Sequence, residues 1–570
     1  MSRRRKAGRH ARTSRRFTPR RWLPFVALIA LVATSVVVSK QVNPSPDDEL
    51  VVVSPEILLP VASVDDPISS TWFCGGGTAS EPGEGADLSV VIANASDEGA
   101  RAEVTFFGTE GDPATEMVEV PINDRLRVRA NDVLPGEWSA ATVEVFGGRP
   151  TVERRVEGAD GFDQSPCSSA ASDTWYLPSG STLRGAAEHI FLFNPFPDAT
   201  SVDIAFATDE GPLTPQDLTG IAVAPRSLRV VTVENPARRK EVAATITTRT
   251  GRIVVDRLQT FDGTGDEVAG SGATAVATGA PRGISSGPAM ATPSPRWFFP
   301  DARIALGSRT QLAIFNPSER NADLDLIVGF DEPDRYAEIE PIRISVRAGE
   351  QLVFDLTDHV SFSAPMELTL DLRSSEGVKV LAELVWITGE RELQELATEP
   401  DPSAVEDPPV EDPPVADPTA EGAEGEGEGE VEGEVDGEET IVENKIYGPG
   451  LAVTAGSPVG ARSWFVAGRG SSTRVTSEIV VANPSGAPVE VTVRELMGGQ
   501  QSPLPDASVS IPAGGRVTLD LAQAQVTSAL IISGKGPLVV GRTLWSIAGR
   551  GVSVDLATPF PDQVVPLPVR

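Results

Sequence analysis

The sequence predicts an all-β ectodomain of tandem immunoglobulin-like antiparallel β-sandwiches, preceded by one N-terminal transmembrane helix. Three observations predict it: a tryptophan-led block that recurs four times, short alternating strands parted by turn residues, and a charge-free apolar run behind a basic N-terminus. At 570 residues the chain is too long for one domain, and its 53 Gly, 48 Pro and 5% aromatic content argue against a single large helical core.

Residues 1–21 hold ten Arg or Lys and no acid, and read as a basic cytoplasmic tail. Trp22 to Val38 follows without a charge. This run of 17 residues is about the shortest that crosses a ~30 Å hydrocarbon core, so 22–39 reads as a signal-anchor. The positive-inside rule then keeps the N-terminus in the cytoplasm and sends the rest outward, giving a single-pass cell-membrane protein with an extracytoplasmic C-terminus. The competing reading is a cleaved signal peptide, with Ala33-Thr34-Ser35 as a small-residue cleavage site. Residues 40–70 form a juxtamembrane linker.

The four blocks open at Trp72, Trp175, Trp297 and Trp464. Trp175 to Asn194-Pro195, Trp297 to Asn316-Pro317 and Trp464 to Asn483-Pro484 are each 19 residues, and Trp72 to Asn94 is 22. The third block reads most cleanly, with seven short strands between Trp297 and Trp386. The expected domains are 71–168, 172–264, 295–392 and 460–562. Trp next to Phe or Tyr at each block start suits a core position better than a sugar platform. Asn-Pro suits a turn, because Asn bonds its own backbone two residues on and Pro cannot continue a central strand.

Two stretches read as linkers. Residues 265–294 are Gly, Ala, Ser, Thr and Pro, a flexible joint. Residues 397–446 read as acidic and disordered, with sixteen acids and no base between 401 and 440. This linker is expected to hold the fourth sandwich away from the other three. Cys74 and Cys167 are the only cysteines. Both lie beyond the apolar run, in a compartment that tolerates disulfides, so they are expected to pair.

A single N-terminal span, Trp72-Phe73-Cys74 followed by Gly-Gly, a lone Cys pair in the first block and tandem Trp…Asn-Pro blocks resemble an actinobacterial family of envelope proteins known only as a domain of unknown function. The resemblance implies topology and sandwich architecture and brings no catalytic residue with it.

The net charge of −33 becomes −43 once the tail is set aside, a field that repels phosphate backbones, so no nucleic-acid partner is expected. Gly283-Ile-Ser285-Ser-Gly287 fits G-x-S-x-G but sits in a Gly/Ala/Ser stretch without the strand–elbow–helix context. His189 and His359 are isolated, Asp262 to Glu267 is a weak calcium-loop lookalike, and Asn94-Ala-Ser96 fits the glycosylation sequon at a repeat turn. No catalytic, cofactor-binding or metal-ligating residue is expected. The functional expectation is a non-enzymatic spacer or interaction scaffold of the cell envelope, partnered by the membrane and by an envelope protein or polysaccharide. The alternative is a binding module for an envelope polysaccharide or other ligand.

Overall fold

Strands in which every second residue is buried recur through the chain: in Ala322–Phe330, Leu324, Leu326, Val328 and Phe330 point inward while Asp323 faces solvent. The structure, a computed structural model, describes residues 59–567 apart from 65–66, 82, 267–279, 306, 331–339, 360–365, 390–447, 469–474, 522–525 and 547–548. The expected signal-anchor at 22–39 lies outside the described residues. Among the described residues, no helix is long and apolar enough to cross a membrane.

The described chain is nearly all β, and one plan serves all four blocks. In block 1 the strands are Ser70–Ala79, Ala86–Asn94, Ala100–Gly108, Ala114–Val120, Asp124–Arg129, Gly136–Phe146, Pro150–Gly158 and Gly161–Pro166. Counted from one to eight, they form an antiparallel sheet of order 4-3-6-1 and another of order 5-2-7-8. Blocks 2 and 3 repeat both orders. In block 4 one long strand, Ala529–Ser546, supplies the sixth and seventh positions.

The two sheets differ in patterning. The third strand of block 1 alternates buried and exposed, as a sheet with one wet face should. The second strands Ala86–Asn94 and Val475–Ala482 are buried throughout. Their sheet is covered on one face by its own block's core and on the other by neighbouring blocks.

The eighth strands, Gly161–Pro166, Arg282–Pro288, Gly450–Ala455 and Val552–Leu556, are the inner strands of a ring. Each begins at or beside a glycine, and in blocks 2, 3 and 4 the missing side chain makes room for the next block. A Cβ on Gly283 would lie 2.2 Å from Leu451 N, one on Gly450 2.7 Å from Val552 N, and one on Gly551 2.8 Å from Phe162 N. Blocks 1 and 2 meet through Ser165 Oγ, which donates to Ser286 O at 2.7 Å. The circuit therefore closes, block 4 against block 1. Apolar cores follow it: Phe191 and Phe193 of block 2 join the core of block 1, and Phe465 and Phe560 of block 4 pack with Val91 and Ala93 of block 1.

Two expected linkers are corrected. The stretch 265–294 contains the inner strand Arg282–Pro288, whose small residues fit close packing at the ring centre rather than flexibility. The acidic stretch 397–446 lies outside the described residues, but its flanks are paired: Thr388 faces Gly450 and Ile387 faces Leu451. It is thus an insertion in the last hairpin of block 3, not a tether between blocks. Block 4 begins at Val459, with only three residues between it and Ala455, which closes block 3, so the expected separation of the fourth block does not occur.

Two expected results follow. Replacing 390–447 with a four-residue Gly/Ser turn should stabilise the fold by about 2 kcal/mol, since closing a shorter loop costs less chain entropy. The midpoint of chemical denaturation measures this, and a loss of stability would contradict it. Gly450→Val should cost about 2 to 3 kcal/mol by forcing blocks 3 and 4 apart. Gly486→Ala, with open space where its Cβ would sit, should be near neutral by the same measurement.

Candidate functional site

The chemistry-bearing side chains of the described residues gather at the seams between blocks. The seventh strand of each block carries a dipeptide at one structural position: Glu153-Arg154, Asp256-Arg257, Glu383-Leu384 and Gly541-Arg542. Each arginine reaches the acid of the next block. Arg154 pairs with Asp256 and also donates to Gly75 O at 2.6 Å. Arg257 pairs with Glu383 at 3.1 Å, and Arg542 pairs with Glu153 at 2.8 Å. All six side chains are buried. The acid alternates across the sheet from the core face that holds residues such as Val152, so its side chain points away from its own core into the neighbour, while the arginine that follows lies on the core's own face.

The seam between blocks 3 and 4 breaks the rule on both sides at once. Leu384 stands where the arginine would be and Gly541 where the acid would be. Pro300 occupies the space left by Gly541, with its Cγ 3.0 Å from where a Cβ would sit. Other charges serve this seam: Arg303 Nη1 meets Glu478 Oε2 at 2.7 Å, and Arg516 Nη2 meets Glu367 Oε2 at 2.6 Å.

At the ring axis, Asp163 accepts from the Ser286 backbone N–H at 2.6 Å and from Ser285 Oγ at 3.2 Å. Burial pushes its carboxyl above the usual range, against the pull of bonds from Ser553, Ser286, Gln164 and Ser285. Asp555 is pushed up further, first by burial and then by the Asp163 charge. Ionisation of Asp163 therefore makes that of Asp555 less favourable. Beside Asp555 lies a cavity of about 70 Å³ capped by Leu59, Pro60, Pro166 and Pro288, with room for a few waters. It marks one end of the inner strands, where the chain enters at Leu59. The opposite end carries the four hairpin tips.

A larger cleft of about 350 Å³ separates blocks 2 and 3. Its floor is the outward face of the 5-2-7-8 sheet of block 3, where register sets Arg309, Ile387 and Leu451 in one row and Gln311, Val385 and Val453 in the next. Arg257, Gln259 and Phe261, alternate residues of one strand, form the facing wall. Beneath this wall Glu188 is buried, with Oε2 unpartnered and 2.3 Å from where a Cβ on Gly180 would sit. Burial outweighs the attraction of Arg257, and the charge of Glu383 adds to it, so Glu188 is raised to about 8. A second cleft, of about 530 Å³, lies at the tips between blocks 1 and 4 and is bordered by Glu157. Burial opposes ionisation there, but Arg155 and then Arg127 hold Glu157 down at about 2.

The residues singled out from sequence fall in structural places. Trp175, Trp297 and Trp464 are buried and donate Nε1–H to carbonyls at the start of the seventh strand, Ile253 O, Val380 O and Leu538 O. Trp72 is also buried but donates to Val61 O at 3.1 Å. Asn94, Asn194, Asn316 and Asn483 are buried clamps whose Nδ2 reaches the carbonyl four residues on. In the three followed by Pro195, Pro317 and Pro484, Oδ1 accepts the N–H two residues on. Asn94 Oδ1 instead accepts from Arg149 N at 2.9 Å.

Cys74 and Cys167 form a disulfide, tying the first strand to the exit of the inner strand. Replacing both with Ala should cost about 2 to 4 kcal/mol of unfolding free energy, and unchanged stability would contradict this.

Ser285 is buried on an inner strand, away from any elbow, and His189 lies against Trp138 at 4.6 Å between ring centroids. His359 packs near Phe354, and Asp262 Oδ1 closes a local turn by accepting from Thr264 N at 2.7 Å. Among the described residues no group of three or more His, Cys, Asp or Glu could hold a metal ion. The seam dipeptides escape notice in sequence because lone charges in strands look like solvated faces. The available signal is their repetition: Glu153-Arg154 and Asp256-Arg257 stand at the same distance from Trp72 and Trp175.

A model of a family of unknown function (DUF5719) matches residues 150–260, from the seventh strand of block 1 to that of block 2 and so across one seam. No curated protein matches the chain. Among solved structures, the chain is similar to Thermotoga maritima 1070 at 20% identity, covering 18% of this chain and 86% of that one with a TM-score of 0.15. It is similar to a tetra-tandem repeat in the extending region of a large adhesion protein at 10% identity, covering 88% and 100% with a TM-score of 0.10. It is also similar to a Streptomyces avermitilis α-L-rhamnosidase complexed with L-rhamnose at 11% identity, covering 87% and 56% with a TM-score of 0.09. These likenesses carry no weight for fold or function.

Proposed function

We propose that the chain is a membrane-anchored extracytoplasmic protein of the cell envelope, and that its ring of four blocks is a non-enzymatic interaction scaffold. The observation that carries this reading is the polarity of the ring. The chain enters at Leu59, beside the cavity at one end of the inner strands, and the acidic insertion leaves from the hairpin Leu381–Thr388/Gly450–Ala455 at the other. The anchor expected at 22–39 precedes Leu59 in the chain, and the sixteen acids between 401 and 440 are what basic partners would meet. Buried seams make such a platform rigid.

Each block is read as immunoglobulin-like in architecture, two antiparallel sheets over one core. The strand order departs from the usual one, in that the seventh strand pairs with the second rather than the sixth. The resemblance to an actinobacterial envelope family fits this reading.

The test is cross-linking in intact envelopes with the full chain and with a form lacking 390–447. Partners captured by the first and lost by the second support the scaffold, and an identical set of partners counts against the insertion as the contact surface. Protease added to wall-stripped cells should remove a C-terminal epitope, and a protected epitope would contradict the topology. A second reading, a ligand-binding module, is favoured by the cleft between blocks 2 and 3.

A further inference from the structure

We propose that the cleft between blocks 2 and 3 binds an amphipathic anion, a single acyl chain with an acidic head group. The inference does not rest on the scaffold reading. At about 350 Å³ the cleft is in the range of small-molecule sites.

The interior is apolar in effect, because most of its polar groups are already engaged; an exception is Gln351, whose Nε2 donates to Pro178 O while its Oε1 has no partner among the described residues. Gln259 Nε2 donates to Ser181 O and Ala187 O, both at 3.0 Å, and its Oε1 accepts from Ser181 N. Arg257 is committed to Glu383 and Ser179, and Gln311 to Asp355. A sugar entering here would find few free partners for its hydroxyls and Phe261 as the one aromatic among the lining residues. Ile387, Val385, Leu451 and Val453 offer instead a continuous aliphatic floor, which suits an acyl chain.

The mouth supplies the second half of the argument. Leu183 is 40% exposed there, among the few large apolar side chains of the described residues left open to water. Beside it stand Arg184, which is exposed and makes no ion pair among the described residues, and Lys240, which is 63% exposed. Glu241, 3.5 Å from Lys240, and Asp266 share the mouth, so the head group would compete with Glu241 for that ammonium. In a chain of net charge −33, an aliphatic pocket with Arg184 and Lys240 at its mouth suits an anion with an apolar tail.

The test uses the full chain in membranes and, as probe, dodecanoic acid carrying a terminal diazirine. Light should place adducts on peptides containing Val385 and Ile387 or Leu451 and Val453. Excess dodecanoic acid should suppress them, and dodecanol should compete at least about tenfold more weakly. Arg184→Glu with Lys240→Glu, both exposed, should weaken competition by dodecanoic acid by about tenfold or more while leaving near-ultraviolet circular dichroism unchanged. Ala313→Trp, which fills the floor, should abolish labelling, and Leu183→Glu serves in its place if that variant does not fold. Adducts confined to other peptides, labelling indifferent to the charge reversal, or equal competition by dodecanol would each overturn the proposal.

Discussion

Replacing Arg542 with alanine is expected to cost about 3 to 5 kcal/mol, the loss that follows when one member of a buried ion pair is removed and the other stays. Glu153 would remain buried at the seam between blocks 4 and 1, keeping only the bonds from Gln164 Nε2 and Ala467 N. Arg154→Ala should act alike through Asp256, whose Oδ2 already has no partner. Removing both partners should cost much less than removing one, because the penalty comes from the unpaired charge rather than from losing the pair. The chain shows this arrangement at its third seam, where Leu384 and Gly541 have replaced both members together. Unfolding free energies of the single and double variants measure the difference.

Stability should fall between about pH 4.5 and 8, and Glu188 should account for much of the fall. Its carboxyl is raised from 4.5 to about 8 in the folded protein. In that interval the folded chain holds a proton that the unfolded chain releases, so rising pH favours unfolding. The contribution is complete below 4.5, is lost progressively up to about 8 and does not change beyond. By linkage the loss is on the order of 5 kcal/mol. Other buried carboxyls raised in the same direction, Asp163, Asp256 and Asp555, add to the slope. Groups held low, such as Glu157 and Asp301, exert their opposite effect below the interval. Glu188→Gln cannot ionise, so its stability at pH 8 should exceed that of the parent, and the gap should close towards pH 5. Parallel pH profiles for the two proteins would refute the assignment.

What the sequence made legible was local. Alternating residues such as Leu324, Leu326 and Val328 locate strands because their period is set within one strand, and Asn316-Pro317 marks a turn because both residues act on their own backbone. The Cys74–Cys167 pair was readable because the chain offers no other cysteine. Ring closure was not legible, because its determinants are pairs of residues hundreds of positions apart. Glu153 and Arg542 each look like a surface charge until they are brought together. Arg282 to Pro288 resembled linker for the same reason: a small-residue strand is readable as a strand only when Leu451 is seen to occupy the space that Gly283 leaves. The acidic insertion was located by composition, yet its place inside a hairpin depended on Gly450–Ala455 pairing with Leu381–Thr388 across the whole insertion. The cleft between blocks 2 and 3 was equally hidden, since its floor and facing wall come from different blocks.

The claim on which the rest depends is that block 4 closes onto block 1. A double-mutant cycle on Glu153→Gln and Arg542→Met tests it most directly, because two residues couple energetically only when they touch or share partners. Closure predicts a coupling of at least about 1.5 kcal/mol between these sites. Single effects that add to within about 0.5 kcal/mol would mean that the two blocks do not meet, and would contradict the ring.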